Sequence, residues 1–60
     1  MSAFQKRYYD KGYNLAVLLL GQGLESYQIV NKIHDQGNDY RNSLAWKLKG
    51  CENAILDNSK

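Results

Sequence analysis

The apolar residues of this chain recur at helical spacing in three segments. In the first, Phe4, Tyr8, Leu15 and Leu19 fall on one stripe at the period of a core-facing helix. Tyr9, Tyr13, Val17 and Leu20 form a second apolar stripe on another side of the same segment, and Lys6, Arg7, Asp10 and Asn14 take what remains. The spacing predicts a helix over 3–20. A second, shorter helix is expected over 26–36, carrying one narrow stripe of Ile29, Val30 and Ile33. Glu25 or Ser26 would cap it, and Leu24 is placed to staple against Ile29. A third helix is expected over 39–56, where Tyr40, Leu44, Leu48, Cys51 and Ile55 make an amphipathic stripe. Gly21-Gln22-Gly23 reads as a C-cap and turn, and Gly37-Asn38 as the second connection. Alternation of the strand type is absent. The fold class is therefore all-α: a small three-helix bundle with two long helices flanking a short one, filling residues 1–60 as a single domain.

Two glycines sit inside helical patterns rather than at ends. Aligning Gly12 on Gly50 pairs the first and third helices: Tyr8 on Trp46, Lys11 on Lys49, Ala16 on Ala54, Val17 on Ile55 and Leu18 on Leu56. A helix-interior glycine costs up to about 1 kcal/mol relative to alanine, so two of them ask for an offset. Glycine and alanine one turn apart permit close approach of another backbone. That predicts a close helix crossing, either of the first helix on the third or between subunits. The paired aromatic–glycine segments resemble those of the ribosome modulation factors at Tyr9, Gly12, Tyr13, Trp46 and Gly50. That family lacks a middle helix, is more basic, and has one residue fewer between the positions matching Trp46 and Gly50. The resemblance implies ribosome or RNA association as a third functional reading.

Composition narrows the possibilities further. The chain has sixty residues and one cysteine, Cys51, so it has no internal disulfide and no thiolate cluster for zinc. A domain this small is marginal on its own, which favours very good helix packing or oligomerisation. The net charge of +2 is a weak bias beside the basic density that drives strong phosphate binding. The apolar run Leu15–Leu20 is too short to span a bilayer and has no cleavage site after it, so the expected location is cytoplasmic and no membrane is expected as partner.

No spacing typical of metal ligands, phosphate loops or nucleophile elbows is present. His34 and Asp35 are adjacent on a helix and point apart, and Cys51 lies on an apolar stripe, so neither suggests catalysis. The expectation is a non-enzyme without cofactor, metal or small-molecule substrate. Trp46 shares a side of its helix with Ser43, Gly50, Ala54 and Asp57, an aromatic anchor beside a shallow strip of small residues. The expected interface is Tyr9, Tyr13, Val17, Leu20, Trp46, Gly50 and Ala54, serving a protein partner, a second copy of the chain, or both. Such a module suits a self-associating regulator or inhibitor that blocks a larger protein sterically, as a phage or other mobile element uses. The alternative is a dimeric helix-turn-helix transcriptional regulator that reads DNA with Arg41, Asn42 and Lys47 at the start of the third helix.

Overall fold

A computed structural model describes residues 1–36 and 41–59. It contains α1 (Ala3–Gly21), α2 (Ser26–Asp35) and α3 (Arg41–Asn58), and no strand among the described residues. The two long helices and the short one stand where the apolar periodicity puts them. The expected start of the third helix at 39, its stripe residue Tyr40 and the Gly37-Asn38 connection lie outside the described residues.

Local chemistry explains the ends. Ser2 caps α1 through a reciprocal pair: the Gln5 backbone N–H donates to Ser2 Oγ (3.2 Å), and the Ser2 N–H donates to Gln5 Oε1 (2.9 Å). After α1, Gly23 takes φ +90, a left-handed conformation that a side chain disfavours. The Leu24 N–H then donates to the Leu19 carbonyl (3.2 Å) and the Gly23 N–H to the Leu20 carbonyl (3.0 Å), the Schellman arrangement. Gly23, rather than Gly21, is thus the residue that requires glycine in this turn. Glu25 is the N-cap of α2, and its backbone N–H donates to Gln28 Oε1 (2.8 Å). At the other end of the chain, the Asn58 side chain donates back to the Ala54 carbonyl (2.8 Å), which satisfies an acceptor of the last turn of α3.

The short helix returns along the α1–α3 pair. Its first residue, Ser26, lies with Ile55 and Leu56 near the end of α3, and Gln36, just beyond its last turn, lies with Lys11 and Asn14 of α1. The order is therefore up-down-up, with α1 and α3 running the same way. Ile29 and Ile33, both fully buried, are the residues by which α2 enters the core beside Ala16, Leu19, Cys51 and Ala54.

The contact between α1 and α3 is where the two interior glycines act. A Cβ built on Gly12 would run into the Lys47 carbonyl oxygen, with the Lys47 Cα only 2.7 Å away. A Cβ built on Gly50 would run into the Tyr9 carbonyl oxygen, with the Tyr13 nitrogen 2.9 Å away. Each glycine thus presents a Cα–H to a carbonyl across the interface, a weak but recurrent helix–helix contact. Tyr9 and Lys47 each stand three residues before their own glycine, so exchanging the two helices maps one contact onto the other. The cation–π pairs follow the same exchange: Lys11 Nζ lies 5.2 Å from the Tyr8 ring centroid, and Lys49 Nζ lies 5.0 Å from that of Trp46. The sequence repeat is therefore expressed as a local pseudo-two-fold relation between α1 and α3, and the close crossing is within the chain.

This crossing corrects the expected core stripes. The buried line of α1 is Gly12, Ala16 and Leu19; Leu19 belongs to the predicted core stripe, but Gly12 and Ala16 lie between the two predicted stripes, and Phe4 is 47% exposed. The buried residues of α3 are Ser43, Lys47, Gly50, Cys51 and Ala54, whereas Leu44, Leu48 and Ile55 are half-buried. The physical reason is distance. Backbones this close leave room only for small side chains along the line of contact, so the large apolar residues are displaced to its flanks.

Candidate functional face opposite α2

The crossing leaves two flanks. One is filled by α2. The other carries the second apolar stripe of α1: Tyr9, Tyr13, Val17 and Leu20. Across from it, Trp46, Asn53 and Asp57 follow one another along α3 at seven- and four-residue steps, which is a single line on a helix. Asn53 Nδ2 donates to the Tyr9 hydroxyl (2.7 Å), and the Tyr13 hydroxyl donates to Asp57 Oδ2 (2.9 Å). The two tyrosine rings are stacked at 6.2 Å between centroids. Two rings, each pinned at its hydroxyl, therefore bridge α1 to α3, with Val17 40% exposed beyond them and Leu20 half-buried. Lys6 and Asp10 form an exposed ion pair (2.9 Å) further along α1.

The residues expected at an interface divide in consequence. Tyr9, Tyr13, Val17, Leu20 and Trp46 share one face with partial exposure. Gly50 and Ala54 are buried against α1, so the small-residue strip beside Trp46 is internal and not a groove open to a partner. The sequence reading did not single out Asn53 or pair Asp57 with Tyr13. The register of Trp46, Asn53 and Asp57 was available in the sequence, but nothing there said that this line would meet the tyrosines of α1.

The Asp57 carboxylate accepting from the Tyr13 hydroxyl raises the Tyr13 pKa above its usual value of 10.0, with desolvation and the negative charge of Asp57 adding to the shift. The sign follows. The hydrogen bond contributes fully while tyrosine is protonated, and the contribution is lost as pH rises through the raised value. In an ultraviolet tyrosinate titration, the Tyr13 hydroxyl is expected to ionise above the usual tyrosine value of 10.0. Tyr13→Phe should delete that late step, and Asp57→Asn should lower it. A late step unchanged by either substitution would assign the shift elsewhere.

The DNA-reading alternative meets a different obstacle. Arg41 and Asn42 are exposed, but Lys47 is 8% exposed, with its backbone against Gly12 and its Nζ 5.9 Å from the Tyr8 ring centroid. Lys47 is therefore not a solvent-side reader. His34 and Asp35 are exposed neighbours at the end of α2, where His34 and Lys32 suit the negative end of the helix dipole. Cys51 is fully buried, and that burial, reinforced by Glu52, pushes its thiol pKa up, away from nucleophile character. Among the described residues, no three His, Cys, Asp or Glu side chains gather as a metal site would require, and no helix is long and apolar enough to cross a membrane.

No protein-family model matches the chain, and neither a curated protein nor a solved structure is significantly similar to it. The resemblance to ribosome modulation factors accordingly has no support from a family match.

Proposed function

We propose that the protein is a small helical interaction module that self-associates through the face formed by Tyr9, Tyr13, Val17, Leu20 and Trp46, and that it acts by steric occlusion of a larger protein. The observation that carries this reading is the fastening of Tyr9 and Tyr13 by Asn53 and Asp57 on the side of the bundle away from α2. Aromatic rings held in place before binding lose little entropy on association, and aromatic anchors dominate interface energetics. Val17 and the half-buried Trp46 extend the patch to either side of the rings. A bundle of sixty residues also gains stability from covering such a face with a second copy.

Light scattering across a concentration series tests the reading. The wild-type protein is expected to gain mass with concentration. Val17→Asp is expected to stay monomeric while melting within about 0.5 kcal/mol of wild type, because Val17 is already well exposed in the single chain. A wild-type protein that stays monomeric at every concentration would sink the self-association, and dimerisation unaffected by Val17→Asp would place the interface elsewhere.

A further inference from the structure

The charges of the chain divide at the glycine crossing. Residues 1–11 and 41–49, which hold α1 and α3 up to Gly12 and Gly50, carry Lys6, Arg7, Lys11, Arg41, Lys47 and Lys49 against one carboxylate, Asp10. Residues 12–36 and 50–59 carry Glu25, Asp35, Glu52 and Asp57 against one lysine, Lys32. The short helix belongs to this second half, because it lies along the later parts of α1 and α3. One half of the bundle is therefore basic by five formal charges and the other acidic by three. The count takes in every carboxylate of those residues, so it holds whichever group meets the buried Lys47. Asp39 and Lys60, outside the described residues, carry one charge of each sign, and neither is enough to reverse the sign of a half. We infer that the second copy covering the tyrosine face lies antiparallel to the first, basic half against acidic half. The inference rests on the self-association proposed above and specifies its geometry.

The tyrosine face spans the division. Tyr9 and Trp46 stand on its basic side, and Tyr13, Val17 and Leu20 on its acidic side. Charges border the face in the same order. Lys6 stands three residues before Tyr9, and Lys49 Nζ lies 5.0 Å from the Trp46 ring centroid, whereas Asp57 accepts from the Tyr13 hydroxyl. A symmetric pair closed on this face has two arrangements. With the two-fold axis along the helices, the copies are parallel and halves of like sign are stacked. With the axis across the helices, each basic half lies on the other copy's acidic half. Charges within a Debye length of about 10 Å are not screened from one another, and like charges facing each other across an interface select against that arrangement. The helix dipoles act in the same direction. Both α1 and α3 begin in the basic half and end in the acidic half, so their positive and negative ends add to the side-chain asymmetry, and only the shorter α2 runs against them.

Paramagnetic broadening between copies tests the orientation. A nitroxide is attached to the full chain at Ser59→Cys, an exposed position at the acidic end, while the fully buried Cys51 is left in place. The labelled chain is mixed with unlabelled, nitrogen-15-enriched wild-type chain, so that every loss of amide signal arises from the other copy. Residues 2–7 and 42–45 are expected to lose most of their intensity, because an antiparallel partner brings its acidic end to them. Introducing Val17→Asp into both chains should restore that intensity. Loss at residues 17–22 and 54–58 instead would show a parallel pair; it would overturn the orientation and leave self-association through this face standing. Broadening that survives Val17→Asp would place the pair on another surface and overturn the orientation on this face. A mixture that shows no broadening and scatters as monomer at every concentration would remove the self-association and the orientation together.

Discussion

Gly12→Ala and Gly50→Ala should each come close to unfolding the protein, although each replaces a glycine in a helix by the best helix former. Propensity alone predicts a gain of up to about 1 kcal/mol from either change. Against it stands the added methyl group, which at Gly12 meets the Lys47 backbone and at Gly50 meets the backbones of Tyr9 and Tyr13. Those are main-chain atoms, so no rotamer change relieves the clash, and α1 and α3 must move apart along their whole contact. Overpacking of a rigid site typically costs about 1–3 kcal/mol and sometimes more. A chain of sixty residues has only roughly 3–9 kcal/mol to lose. Thermal melts of the single variants should fall by at least about 10 °C, and the double variant should show no cooperative transition. Gly21→Ala is the internal control. Nothing lies within 4 Å of a Cβ built there, and Gly21 is the last residue of α1, so that variant should melt higher than wild type. If all three glycines respond alike, the close crossing is not what holds the bundle together.

The same crossing explains how far the sequence could be read. Three helices follow from periodicity because the apolar residues of each cluster around the buried side even when they do not lie on its centre. The centre itself was misplaced. Stripe reasoning assumes that the largest apolar residues mark the deepest positions, which holds when helices sit at ordinary separations. Here Gly12, Ala16, Gly50 and Ala54 let the backbones approach, and Phe4, Tyr8 and Ile55 are pushed outward. The repeat containing Gly12 and Gly50 held the needed information, because two costly glycines at matching places already imply contact. The sequence could not say whether that contact lay within one chain or between two. Lys47 was misread for a related reason. A lysine reads as solvated because its charge favours water, and its burial follows from Gly12 on another helix. The tyrosine face was legible as a stripe and illegible as a site, since the partners of Tyr9 and Tyr13 are forty-four residues away.

The short helix depends on two side chains. Ile29 and Ile33 are fully buried, Val30 is half-buried, and Tyr27, Gln28 and the rest of the outward face of α2 are exposed. Ile33→Ala should therefore cost about 2–5 kcal/mol, the range for truncating a large aliphatic core residue, and the loss should not be uniform. The α1–α3 crossing uses backbone contacts and small residues that Ile33 does not supply, whereas a ten-residue helix is too short to persist in water without its anchor. Hydrogen exchange should show the α2 amides losing protection first, while those around Gly12 and Gly50 remain the slowest in the molecule. If Ile33→Ala instead lowers protection equally in all three helices, the chain is a single cooperative unit and α2 is as integral to the crossing as the glycines are. That result would move the origin of stability from the paired long helices to the three-helix core around Ile29, Ile33 and Cys51.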